Sequence, residues 1–165
     1  MQSVYPTWIS NACGALKTGD GMTANESLFM NTANQIAANS LCSRRKVGAV
    51  LVKDGNILLR ACNGSTSPCP ECVRDRNGIQ AGKLHRICLG THAEKRLLQQ
   101  AMEHSIETRA AAVYCTHSPC CECAAALADA GIAEFIYLHE YPDPAFMSNF
   151  EKNDILYRQI RSDRK

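Results

Sequence analysis

A three-layer α/β/α sandwich with a central mixed sheet is the fold this sequence predicts, and three observations carry the prediction. Two aliphatic runs flank an Asp-Gly turn, helical and extended patterns then alternate, and Gly, Pro or Asn residues separate them. At 165 residues the chain is long enough for one compact core and short for two. The expected organisation is an N-terminal arm over residues 1–24 and a single domain over 25–165.

The arm holds Pro6, Gly14, Gly19 and Gly21 among small polar residues without periodicity, which predicts irregular chain. From Asn25, a candidate cap ahead of Glu26, the residues Leu28, Phe29, Thr32, Ala33, Ile36, Ala37 and Leu41 recur at helical spacing and predict an amphipathic helix on the core. Residues 47–52 and 57–62 enclose Lys53-Asp54-Gly55-Asn56, so a β-hairpin is expected there. Residues 63–68 read as loop. The stretch 69–89 is rich in Cys, Gly and charge and has no period; a loop of that length in a compact domain calls for an ordering influence, such as a metal. Helix is expected over 92–104, strand over 111–116, helix over 120–130 stopped by Gly131, strand over 134–139, and a last helix over 150–161 beyond Pro142 and Pro144. Crossover connections would bring the starts of the second and third helices to one sheet edge.

Those two helix starts carry the chemistry. One reads His92-Ala93-Glu94 and the other Pro119-Cys120-Cys121-Glu122-Cys123, that is, H-x-E followed by P-C-x-x-C. His92, Cys120 and Cys123 offer imidazole and thiolate, the donors zinc prefers, and three protein ligands leave a fourth tetrahedral position open, as a catalytic zinc requires. Cys120 and Cys123, three apart, share one helix face, and a thiolate at a helix N-terminus is favoured by the helix dipole. Glu94, two residues past His92, projects from another face beside the metal and is the candidate general acid and base. Taken alone, a C-x-x-C is also a redox pair or half a structural zinc knuckle, and an H-x-E is also surface coincidence; their conjunction in this order separates the catalytic reading from both.

Composition excludes other classes. The 18 Lys and Arg against 16 acids leave a formal charge of +2, too weak a field to advertise duplex nucleic acid. Ten cysteines, no basic-then-apolar leader at the N-terminus and no 18-residue apolar run predict a cytoplasmic protein off the membrane, its cysteines ligating metal or buried as thiols.

Together these residues resemble the cytidine-deaminase-like fold and, within it, the deoxycytidylate (dCMP) deaminases. The resemblance runs from about Ser27 to Tyr141 and includes Cys42-Ser-Arg-Arg-Lys-Val-Gly-Ala-Val, Asn63-Gly64, both zinc motifs and Tyr141. It implies hydrolytic deamination of a cytosine deoxynucleotide by a homo-oligomer, with zinc on His92, Cys120 and Cys123 and proton shuttling by Glu94. It also implies a deoxyribose contact from Asn63 and an aromatic wall at Tyr141; Ala93 and Ser118 are expected to line the substrate pocket, with Thr116 and His117. Asn63 before Gly64 is equally a turn signal, and Tyr141 before Pro142 equally a core residue. The family's Gly-Tyr-Asn-Gly reads Ala61-Cys62-Asn63-Gly64 here, a departure at a loop tied to nucleotide regulation. Candidate phosphate contacts are Arg44, Arg45, Lys46 and Arg60.

Cysteines outside this site suggest a second zinc. Cys69 and Cys72 form another C-x-x-C, with His85 and Cys88 at structural-zinc spacing. The resemblance favours Cys42, Cys72, His85 and Cys88, whereas local spacing puts Cys69 in place of Cys42. Three functions fit the sequence: a dCMP deaminase, a zinc deaminase acting on a nucleoside, free base or RNA base, and a zinc-binding module without turnover. An acid beside a closed structural site would have no use, which weighs against the third.

Overall fold

Thr23 starts the first helix. The computed structural model describes residues 22–65, 71–83, 87, 88 and 90–160, so the expected arm falls outside it over residues 1–21. Helix α1 (Ala24–Ala38) is capped by Thr23: its hydroxyl accepts from Glu26 N at 3.2 Å and its own N–H donates to Glu26 Oε2 at 2.8 Å. The cap lies two residues ahead of Asn25 because this reciprocal pair needs the acid at the third helical position, which Glu26 occupies only when Thr23 is the cap. Strands β1 (Gly48–Lys53) and β2 (Asn56–Cys62) form the expected hairpin, and Asp54 and Gly55 both take positive φ, 50° and 75°, as a two-residue turn between right-twisted strands requires.

A short helix, α2 (Val73–Arg76), interrupts the stretch expected to be loop. Helix α3 (Ala93–Glu103), strand β3 (Ala112–His117), helix α4 (Cys121–Asp129) and strand β4 (Glu134–His139) follow within a residue or two of expectation. The last helix does not. Instead of running over 150–161, α5 (Ala145–Lys152) begins directly after Pro144, whose fixed φ suits a helix start, and the chain then turns at Asp154 (φ 54°) into strand β5 (Leu156–Gln159). The open edge of β4 decides this: Glu134 to Tyr137 pair in parallel with Leu156 to Gln159, and strand pairing overrides local helical pattern.

The sheet order is β2-β1-β3-β4-β5, with β1 antiparallel to both neighbours and β3, β4 and β5 parallel. Phe29, Met30 and Ala33 of α1 pack with Val50, Val52, Tyr114 and Ile136 on one face. Leu97 of α3, Leu127 of α4 and Phe146 and Phe150 of α5 pack with Ala49, Leu51, Val113, Phe135 and Tyr137 on the other. That is the three-layer sandwich. Because β2 and β3 run the same way, the β2–α3 and β3–α4 connections emerge at the same sheet edge, where ligand sites of open α/β sheets lie. Among the described residues no helix is long and apolar enough to cross a membrane.

Helix α1 sits unusually close to β1, and Gly48 permits it. A Cβ at Gly48 would lie 2.0 Å from Ala33 O and 2.6 Å from Ala37 N, both helix backbone that cannot swing aside. Gly48→Ala is therefore expected to cost about 3 kcal/mol of stability, at the upper end for overpacking. Gly55→Ala, where a Cβ meets nothing within 4 Å and only the positive φ opposes it, should cost about 1–2 kcal/mol. Urea-unfolding midpoints of the two variants check the order.

Candidate active site

His92 caps α3 and Cys120 caps α4, so two helix N-termini converge on one cleft. His92 Nδ1 lies 3.2 Å from Cys123 Sγ and 3.5 Å from Cys120 Sγ. Among the described residues these three are the only group whose ligand atoms all fall within 4.8 Å of one another. Zinc–nitrogen and zinc–sulfur bonds of ordinary length at a tetrahedral angle separate N from S by about 3.5 Å, so the triad fits a zinc ion without rearrangement. Lys95 Nζ meets Glu122 Oε2 at 3.0 Å and ties the two ligand-bearing helix starts together.

The electrostatics are those of a cation site. Hydrogen bonding from Cys123, then from His92, brings the Cys120 thiol down to about 4, against an opposing push from burial. The shared hydrogen bond and burial hold Cys123 well above an ordinary thiol. The pair thus shares one proton, which a divalent cation would displace. Hydrogen bonding to Cys120 raises His92, with burial opposing. Glu94 is buried at 4 % exposure in the second position of α3. Burial raises its carboxyl above the usual range while the neighbouring His92 pulls the other way, which suits a group that must both take and give a proton.

The remaining expected residues gather around this centre. Ala93 is fully buried and, with Ser118 and Tyr141, lines the cleft. Ser118 Oγ accepts from Tyr141 N at 2.7 Å, and the Tyr141 hydroxyl accepts from Gly82 N at 3.0 Å, so the aromatic wall is braced at both ends. Asn63 also lines the cleft, and its side chain joins three segments: Oδ1 accepts from Val47 N at 2.8 Å and from the Ser40 hydroxyl at 2.7 Å, and Nδ2 donates to Arg45 O at 2.8 Å. One Nδ2 proton remains for a ligand. Burial first, then Arg45 and His139, lowers His117 to about 4, so it lines the cleft as a neutral ring. Thr116 is buried one step behind the wall; its hydroxyl accepts from Gly48 N at 3.2 Å and shares a hydrogen bond with His117 Nδ1 at 3.0 Å.

Cys42, Cys72 and Cys88 line the same cleft, but their sulfurs are not drawn together within 4.8 Å, and Cys69 and His85 lie outside the described residues. Lys46 donates to Ala38 O and Arg60 is exposed on β2; neither lines the cleft. Arg44 and Arg45 do line it. So does Arg74 of α2, which sequence reading missed: its segment lacks periodicity, and its burial to 5 % exposure is a tertiary fact with no local signal.

An α/β/α sandwich that presents an open His–Cys–Cys triad and a buried carboxyl at its strand ends has the ligand set and the adjacent acid that a catalytic zinc site needs. Residues 23–139 match the family model described as the cytidine and deoxycytidylate deaminase zinc-binding region, and the chain belongs to that family. It is 32 % identical over 121 residues to a deoxycytidylate deaminase of Schizosaccharomyces pombe, covering 70 % of this chain and 37 % of the yeast protein, so it spans little over a third of that relative. It is 30 % identical over 137 residues to ComE operon protein 2 of Bacillus subtilis, covering 82 % of this chain and 70 % of the relative. The crystal structure of dCMP deaminase from the cyanophage S-TIM5 in complex with dCMP and dUMP superposes with a TM-score of 0.71 at 27 % identity, covering 85 % of this chain and all of that one.

Proposed function

We propose that this protein hydrolyses dCMP to dUMP and ammonia. The observation that carries the reading is Glu94, a buried carboxyl beside the His92–Cys120–Cys123 triad in a cleft shared with Asn63 and Tyr141. Zinc on the triad supplies Lewis acidity toward water. Glu94 accepts one proton from the water whose oxygen attacks C4 of the cytosine ring and delivers it to N3; it then takes the remaining hydroxyl proton from the tetrahedral C4 and passes it to the amine, which leaves as ammonia as the C4–N bond breaks and the C4 carbonyl forms. The buried, water-poor surroundings keep its carboxyl poised for both transfers. The one free Nδ2 proton of Asn63 suits a deoxyribose oxygen, Tyr141 flanks the sugar, and Ala93 and Ser118 bound the ring.

The same reading makes the protein a cytoplasmic homo-oligomer. The eight described cysteines are all free thiols, which suits a reducing compartment. A second, structural zinc on Cys42, Cys72, His85 and Cys88, with Cys69 as the alternate to Cys42, is part of the proposal; it is supported by Cys42, Cys72 and Cys88 lining a common cleft.

Ammonia release from cytosine, cytidine, deoxycytidine, CMP, dCMP and dCTP tests the function. The highest kcat/KM is expected on dCMP. Preference for cytosine or a nucleoside would replace the nucleotide reading, and release from none of them would leave only the non-catalytic module.

A further inference from the structure

The helix that carries both thiols of the triad has no cap of its own. Cys120 occupies the N-cap of α4, but its sulfur is engaged with His92 and Cys123 and makes no capping hydrogen bond. The acceptor comes instead from 22 residues further on: Asp143 Oδ2 accepts from Cys121 N at 2.9 Å. That N–H is one of the first-turn donors that have no partner inside the helix. The other oxygen, Asp143 Oδ1, accepts from Ala145 N at 3.3 Å, in the first residue of α5. One carboxylate thus holds the starts of two helices, where the partial positive charge of a helix N-terminus favours it.

Asp143 is itself fixed to the aromatic wall. Its N–H donates to Tyr141 O at 2.7 Å across Pro142, a three-residue turn whose centre suits the fixed φ of proline. Tyr141 N in turn donates to Ser118 Oγ at 2.7 Å, and Ser118 is buried. The turn over 141–143 therefore grips the segment Ser118-Pro119-Cys120-Cys121 at both ends, with the ligand Cys120 between the two grips. Behind the turn, Gly82 approaches so closely that a Cβ there would lie 2.0 Å from Pro142 O. Asp143 does not line the cleft, so its bonds serve placement and not contact with a substrate. The Lys95–Glu122 pair also reaches the first turn of α4, but with 41 % and 33 % of the two side chains exposed it contributes little. A helix cap keeps its worth at a solvent-facing end, typically about fivefold in an equilibrium constant.

We infer that Asp143 is a positioning residue for the zinc triad: through Cys121 it fixes where Cys120 and Cys123 present their sulfurs, and through Tyr141 it ties that placement to the wall of the cleft. The inference rests on the triad holding zinc and not on which cytosine compound is deaminated. Sulfurs on a frayed first turn must be gathered when metal binds, and that ordering is subtracted from metal affinity. A helix start held in place beforehand avoids the loss.

Zinc affinity by chelator competition on the full chain, and the visible spectrum of the cobalt-substituted protein, test the role without turnover. The difference between parent and variant is read, because a second metal site elsewhere contributes equally to both. Asp143→Ala should weaken zinc by about 10-fold or more, the scale of a lost cap and of lost support behind metal ligands, and should shift the cobalt bands. That variant also frees the start of α5, so Asp143→Ser separates the two bonds. A serine hydroxyl still serves Ala145 N two residues on, but has no second oxygen for Cys121 N. Asp143→Ser should therefore lose zinc affinity as the alanine variant does, while the urea midpoint of its metal-free form stays nearer the parent's. Zinc affinity equal to the parent's in Asp143→Ser, with an unchanged cobalt spectrum, overturns the role. So does a lower urea midpoint of the metal-free variants with no change in zinc affinity. A substrate other than dCMP would alter none of these outcomes, so failure of the deamination reading is told apart by ammonia release alone.

Discussion

Glu94→Gln is expected to lower kcat on dCMP by about 10²–10⁴-fold or more while leaving zinc content unchanged. That is the range a positioned general acid and base contributes, and in the proposed mechanism one residue serves both halves of the reaction. Glutamine keeps the shape of the side chain and removes its capacity to carry a proton. The triad atoms, 3.2 and 3.5 Å apart across His92, do not include Glu94, so the metal should remain. Burial opposes ionisation of this carboxyl, so a neutral replacement does not strain the fold and the urea midpoint should not fall. Ammonia release and elemental zinc, measured on the same preparation, check it. Turnover within tenfold of the parent would remove Glu94 from the mechanism.

Removing a zinc ligand should be harsher. Cys123→Ala deletes a fully buried sulfur from the triad and leaves two ligands, too few to hold a catalytic zinc. Turnover should fall below detection, and stability should fall with it. A ligand present at a thousandfold its dissociation constant stabilises the folded state by about 4 kcal/mol, which the variant forfeits. Metal content also tests the proposed second site: two zinc per chain are expected in the parent, one in Cys123→Ala, and one in Cys72→Ser with Glu94 and the triad intact. A single zinc in the parent would end the second site. Loading should also weaken as pH falls, because the proton shared by Cys120 and Cys123 must leave before both sulfurs can bind.

The parts legible in the sequence are those whose physics is local. Asp54-Gly55 announces its turn because few other pairs tolerate two positive φ angles in a row. The ligand spacing of Cys120 and Cys123 is a property of one helical turn, and Pro119 and His92 mark the helix starts that carry the chemistry. Where partners are distant in sequence, the reading failed. Leu156 to Gln159 have no apolar alternation and become a strand only because β4 offers an open edge. Thr23 is the exception, because its signal is local: Glu26 three residues on completes a capping box, although Asn25 reads as the cap. Arg74 looked like any surface charge in a polar stretch, yet its guanidinium is buried under carbonyls six and nine residues ahead.

Gly64 and Thr91 exchange hydrogen bonds at 3.0 Å in both directions, and Arg96 Nη2 fastens Gly64 O at 2.7 Å. The chain between them, which carries Arg74 and its supporting carbonyls, therefore leaves the sandwich and returns to it at the same point. A loop whose ends are already joined can change length cheaply, at about 0.6 kcal/mol of closure entropy per doubling. The crossing is thus tied off at the entry to the helix that carries Glu94, and its remaining hold on the cleft is Gly82 N, which braces Tyr141. Exchanging residues 65–90 for a shorter or longer crossing would redraw what the cleft admits, with the zinc triad and Glu94 left where they stand.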